Sequence, residues 1–143
     1  MDEREQPISP RFEYIELDYS RGDKYTEIEL PEETEPPRIE KIEVYPYPNL
    51  TKLWIKMTLS YFKRYPNIEL YLYDPDNKLI ADMLLIEHRN FYVDITMHLR
   101  QSPRPGELYR LEAFLIRDDS ILDEKHHEFT LVFVDPETGK PSK

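Results

Sequence analysis

Cysteine is absent from all 143 residues, which excludes a disulfide framework, a thiol nucleophile and a thiolate metal site. Glycine is scarce: three cannot build a phosphate-cradling loop. None of the serines (Ser9, Ser20, Ser60, Ser102, Ser120, Ser142) sits in a Gly-x-Ser-x-Gly elbow. No apolar run exceeds four residues, Met83-Leu84-Leu85-Ile86 being one of that length, far short of the roughly 20 residues of a membrane-spanning helix, so no membrane partner is expected. Met1-Asp2-Glu3-Arg4-Glu5 offers neither the basic nor the apolar part of a secretion signal, and a cytoplasmic location is expected. There is no basic run, and 29 acids against 19 Lys and Arg leave a net charge of −10. Such a chain meets a phosphate backbone as a like charge, so no nucleic-acid partner is expected.

What is abundant is apolar and aromatic mass, 39% and 13% of residues, enough to offset the entropy of ordering a core. The charge is uneven. Residues 1–37 hold twelve acids and four bases, a net of −8, whereas residues 38–143 hold seventeen and fifteen, a net of −2. An acidic arm (1–37) therefore precedes a nearly neutral body (38–135), and a polar tail (136–143) follows it.

The body alternates with period two. Leu53, Ile55, Met57, Leu59 and Tyr61 are interleaved with Trp54, Lys56, Thr58 and Ser60, and Phe91, Val93, Ile95, Met97 and Leu99 with Tyr92, Asp94, Thr96 and His98. That pattern sets one side of a strand on a core and the other in water. Ile68, Leu70 and Leu72 repeat it, as do Tyr109, Leu111, Ala113 and Leu115, and Phe129, Leu131 and Phe133. Arg38 to Val44 adds a strand in which a bulge shifts Ile39. Turn signals separate seven strands: Tyr45-Pro46-Tyr47-Pro48-Asn49, Lys63 to Asn67, Asp74-Pro75-Asp76-Asn77, Glu87 to Asn90, Pro103 to Gly106, and a last loop opened by Asp118-Asp119-Ser120 before a strand over 125–134. The expected fold is an all-β antiparallel sandwich.

Pro105-Gly106-Glu107-Leu108-Tyr109, followed by Leu111, Ala113 and Leu115, resembles the entry to the sixth strand of fibronectin type III and related immunoglobulin-like sandwiches. The hairpin of 67–73 with 78–86 ahead of 91–100 is similar to the same topology. The resemblance covers about residues 38 to 134. It implies that Tyr109 forms a tyrosine corner, its hydroxyl bonded to backbone just upstream and its ring closing the core. It also implies a recognition or spacer role rather than a reaction. The sequence departs from the class at Trp54, which lies in phase with Lys56 and Thr58 and so faces outward.

Chemistry finds few footholds. His126 and His127 are adjacent on a strand and point to opposite faces, His98 faces outward and His88 lies in a turn, so no convergent metal set is expected. Asp74-Pro75-Asp76-Asn77 lacks the glycine and the distant glutamate of a helical calcium loop. Asp118, Asp119, Asp123 and Glu124 cluster in one loop, where ion pairing with Lys63 and Arg64 is the simpler account. No cofactor and no enzymatic activity are expected.

One outer face stands out. With fibronectin-like topology, the outward residues of 67–73, 78–86, 108–117 and 125–134 are Tyr71 and Tyr73; Ile80, Leu84 and Ile86; Leu108, Phe114 and Ile116; Val132 and Val134. The opposite sheet turns out Lys41, Glu43, Lys56, Thr58, Ser60, Asp94, Thr96 and His98. An apolar face of that size calls for a cover. Two are available: a hairpin of the arm (12–19 with 25–30, joined through Ser20-Arg21-Gly22-Asp23), or a protein partner, including a second copy in a homodimer. The leading expectation is a non-catalytic protein-interaction or structural module. The alternative is a small-ligand or carbohydrate binder using Trp54, Tyr92, Tyr45 and Tyr47.

Overall fold

The computed structural model describes residues 30–133 and 135–137. The chain divides between Pro31 and Glu32 into two units, and the seven strands found among the described residues belong to the second. Except for Leu30, the hairpin expected within the arm lies outside the described residues, as do Val134 and the tail from residue 138.

The strands are β1 (Ile39–Pro46), β2 (Lys52–Leu59), β3 (Asn67–Tyr73), β4 (Leu79–Leu85), β5 (Tyr92–His98), β6 (Leu108–Arg117) and β7 (Ser120–Thr130). They form two antiparallel sheets, β1-β2-β5 and β4-β3-β6-β7, the allotment expected of a fibronectin-like sandwich. Strict alternation is the cause. On β2, Leu53, Ile55, Met57 and Leu59 are buried while the residues between them are half-exposed, and β3 and β6 repeat this with Ile68, Leu70 and Leu72 and with Tyr109, Leu111, Ala113 and Leu115. Each fully buried Leu or Ile stabilises the sandwich by about 1.5–3 kcal/mol relative to exposure.

Where the chain departs from alternation, one extra residue is responsible. On β1 the register slips between Ile39 and Lys41, which keeps both Ile39 and Ile42 in the core. On β4, Leu72 faces Ala81 and Tyr73 faces Leu79, leaving Ile80 as the bulged residue. Ile80 is consequently turned into the core (9% exposed) and is not part of the outer face; Leu79 takes that place. At the β6–β7 connection, Asp118 (φ 55°) and Asp119 (φ 62°) form a two-residue left-handed turn of the type that matches strand twist. Aspartate tolerates that conformation, so β7 starts at Ser120, five residues before the expected 125. It also ends early, at Thr130. Beyond it Leu131 stays fully buried, held by N–H donation to Glu107 O (3.0 Å) and by accepting from Gly106 N–H (2.9 Å).

That same end of the sandwich, away from the β6–β7 turn, is closed by Tyr109, 1% exposed, whose hydroxyl accepts the Arg104 N–H at 3.0 Å and whose ring stacks on Phe129 at 5.9 Å. This is the tyrosine-corner arrangement. Beside it, the buried Asp74 carboxylate accepts the Asp76 and Lys78 N–H groups and the Gln101 amide, each at 2.9 Å. The Lys78 N–H leads in holding its pKa below the usual value. The β3–β4 turn is thereby tied to the segment after β5.

Candidate functional site

Strand register arranges the outer face of β4-β3-β6-β7 in rows. Leu84, Glu69, Phe114 and Glu124 lie abreast; then come Asp82, Tyr71, Glu112 and His126, and next Leu79, Tyr73, Arg110 and Glu128. The face is therefore not uniformly apolar, because polar side chains share it with the expected aromatics. Tyr71 donates to Glu69 at 2.6 Å, a bond that leads in pushing its phenol up to about 12, and it packs edge-on to Phe114 at 5.8 Å. Arg110 lies over the Tyr73 ring at 4.3 Å and donates to Glu112 at 2.9 Å, while His126 meets Glu124 at 3.0 Å.

Among the expected face residues, Leu84 (53%) and Leu108 (51%) are exposed, and Tyr71, Tyr73, Phe114, Ile116 and Val132 are partly buried. Two residues that the sequence reading missed join them. Ile121 (59% exposed) pairs with Ile116, and it escaped notice because it fell in a presumed loop. Leu79 was hidden by the bulge. Ile86 (69% exposed) lies just past the end of β4. The apolar exposure thus gathers toward the β6–β7 turn, around Leu84, Ile86, Phe114, Ile116 and Ile121.

The other sheet carries an aromatic cleft of about 220 Å³ lined by Tyr45, Pro46, Tyr47, Pro48, Trp54, Phe133 and Pro136. Tyr45 and Trp54 face each other across β1 and β2, with ring centroids 5.5 Å apart. The Trp54 indole N–H donates to Asp94 at 2.6 Å, and the Tyr47 hydroxyl is 3.2 Å from the Thr96 hydroxyl. Burial, followed by the nearby Glu43 carboxylate, raises the Tyr45 phenol above its ordinary value. Of the four candidate ligand aromatics, three meet here. Tyr92 does not: it pairs with Thr58, four residues along β2 from Trp54 and so about 13 Å away. Phe133, which alternation assigns to the core, lines the cleft because β7 has already ended.

Several of the titratable groups weighed as metal ligands are engaged elsewhere. Arg64 pairs with Asp118 at 2.7 Å, and Asp123 accepts the Ile39 N–H at 2.8 Å. His126 lies on the outer face. His127 lies near Phe129 and is held below its ordinary pKa by burial. Among the described residues no three metal-ligating side chains converge. At the end near the β6–β7 turn, Glu33 makes a two-pronged pair with Arg117 (2.8 Å to each nitrogen) and accepts the N–H groups of Lys63 (2.7 Å) and Arg64 (3.3 Å). Glu32 pairs with Lys63 and Glu35 with Arg38. Residues 32–37, which the sequence analysis places in the acidic arm, are thus part of the sandwich unit.

No family model matches the chain, and no curated protein sequence matches it. Solved structures do. A β-glucuronidase of Parabacteroides merdae superposes with a TM-score of 0.55 at 18% identity, over 70% of this chain and 14% of that one. The likeness is one of fold. A Ruminococcus gnavus β-glucuronidase in complex with D-glucaro 1,5-lactone gives 0.52 at 16% identity over 70% and 17% of the two chains. A Bifidobacterium dentium β-glucuronidase complexed with coumarin-3-O-glucuronide gives 0.51 at 14% over 71% and 19%. These enzymes contain immunoglobulin-like β-sandwich domains, and the present chain spans less than a fifth of their length.

Proposed function

We propose that this chain is a non-catalytic, cytoplasmic recognition module that binds a protein partner through the outer face of β4-β3-β6-β7. The observation that carries the reading is the cluster of Leu84, Ile86 and Ile121, each more than half exposed, around the Tyr71–Phe114 pair and Ile116. Apolar groups gathered in this way, with a polar surround, are the signature of an interaction surface rather than of a bare monomer face. The surround selects the partner. Glu69, Asp82, Glu112, Glu124 and Glu128 outnumber Arg110 and His126 on this face, so a second copy would bring acid against acid, while a partner with a basic rim would complement it. The module reading is also in keeping with the β-glucuronidases, in which the matching segment is a minor part of a long chain.

The test compares full-length protein with a Leu84→Asp/Ile121→Asp variant and with Thr58→Asp on the opposite sheet, each shown by melting to be folded. Crosslinking in the native cell followed by purification should return a partner with wild type and Thr58→Asp but not with the double variant. Capture of the same proteins by all three would refute the assignment, and concentration-dependent dimerisation abolished only by the double variant would replace the foreign partner by a second copy.

A further inference from the structure

The aromatic cleft lies on the other sheet from the apolar face, so its role stands or falls independently of the reading above. Four rings and three prolines form it, and polar atoms of its rings are already committed: the Trp54 N–H to Asp94 and the Tyr47 hydroxyl to Thr96. A sugar placed there would lose water from its hydroxyls without regaining hydrogen bonds from those groups. The cleft favours a ligand with rigid apolar rings and little need of donors.

Charge narrows the choice. Lys52 Nζ lies over the Tyr47 ring at 5.0 Å and Lys56 Nζ over the Trp54 ring at 4.9 Å, and neither makes an ion pair among the described residues. The acids directly across from Lys56 are Glu43, paired with Lys41 at 2.8 Å, and Asp94, which accepts the Trp54 N–H at 2.6 Å. Lys52 and Lys56 therefore flank Trp54 as two available cations four residues apart on β2, about 13 Å. Four residues of polyproline II helix span about 12 Å, and that helix is preformed and presents its rings to aromatic grooves at small entropic cost. We propose that the cleft binds an extended proline-rich peptide with acidic residues at positions i and i+4, its proline rings on Tyr45, Tyr47, Trp54 and Phe133 and its carboxylates at Lys52 and Lys56. At about 220 Å³ the cleft is smaller than a drug-sized pocket and admits two proline rings between the lysines.

Trp54 is the only tryptophan of the chain, so its fluorescence reports the site directly. The probes are acetyl-Pro-Glu-Pro-Pro-Pro-Glu-Pro-amide, its Lys-for-Glu counterpart and cellohexaose, each titrated into full-length protein at low salt. The acidic peptide is expected to shift the emission with a Kd on the order of 0.1–1 mM. The basic peptide should bind at least about tenfold more weakly, and salt should erase much of the difference. Lys52→Gln/Lys56→Gln should cost about tenfold for the acidic peptide alone, and Phe133→Ala should weaken every proline peptide. Equal response to the acidic and basic peptides, or silence to both, overturns the proposal on wild-type protein without recourse to any variant. A stronger response to cellohexaose reassigns the cleft to carbohydrate.

Discussion

Replacing Glu33 by Gln removes one charge from the most heavily bonded ion pair of the sandwich and leaves its shape. The Glu33 and Arg117 side chains are only 15% and 13% exposed, and the carboxylate accepts two guanidinium and two backbone N–H bonds. These hold its pKa at about 2 instead of 4.5, with the Arg117 bond foremost. At about 1.4 kcal/mol per unit, that shift corresponds to at most about 3.5 kcal/mol. Solvent screening near the surface brings the expected loss in Glu33→Gln to about 1–2 kcal/mol at pH 7. The sign follows from a lowered folded-state pKa: the stabilisation is fully present above about 4.5 and fades as the pH falls toward about 2. Urea denaturation followed by circular dichroism should therefore show a lower midpoint for the variant at pH 7 and an unchanged slope, with the gap closing on acidification. Arg117→Met should cost as much or more, and the double variant less than the sum. A gap that persisted undiminished near pH 2.5, or that was absent at pH 7, would refute the reasoning.

Tyr109→Phe leaves the part-buried Arg104 N–H without its acceptor and should lower stability by about 1–2 kcal/mol; an unmoved denaturation midpoint would contradict the corner. Asp119→Gly relieves a left-handed residue at the β6–β7 turn while sparing the Arg64–Asp118 pair, and calorimetry should show a gain of about 0.5–1 kcal/mol. Asp74→Ala removes the acceptor of three bonds and should lower the melting temperature, by an amount that shrinks as the pH falls through the lower carboxylate range. An Asp74→Ala protein melting with wild type at neutral pH would show that the clamp contributes nothing.

Most of the sandwich was legible because burial on one side imposes period two, and β2, β3, β5 and β6 carry it unbroken. Bulges were harder to read. The slip at Ile39 shows in the sequence as a misplaced apolar residue, but the one at Ile80 does not, since Leu79, Ile80 and Ala81 are all apolar and any of them satisfies the pattern. Asp118-Asp119 reads as the start of a loop, and only its backbone angles reveal a tight hairpin that adds five residues to β7. The cleft was half-legible. Tyr45, Tyr47 and Trp54 announce themselves by phase and by their prolines, whereas Phe133 comes to them through the path of the chain after Thr130, which no local pattern encodes. Glu33 was read as one acid among many, because nothing nearby in sequence names Arg117, 84 residues away, as its partner.

Placing Glu32–Pro37 with the sandwich changes the meaning of the chain's acidity. Drawn at Arg38, the boundary separates a segment of −8 from one of −2. Drawn at Glu32, it leaves nine acids and four bases on one side and twenty acids and fifteen bases on the other, a net of −5 each. The three glutamates that cross over are those paired with Lys63, Arg117 and Arg38. A protein trimmed to begin at Arg38 would keep all seven of the described strands, β1 to β7. It would also keep Arg117, mostly buried and facing two bare N–H groups, an anion-binding pocket that the intact chain fills with its own carboxylate.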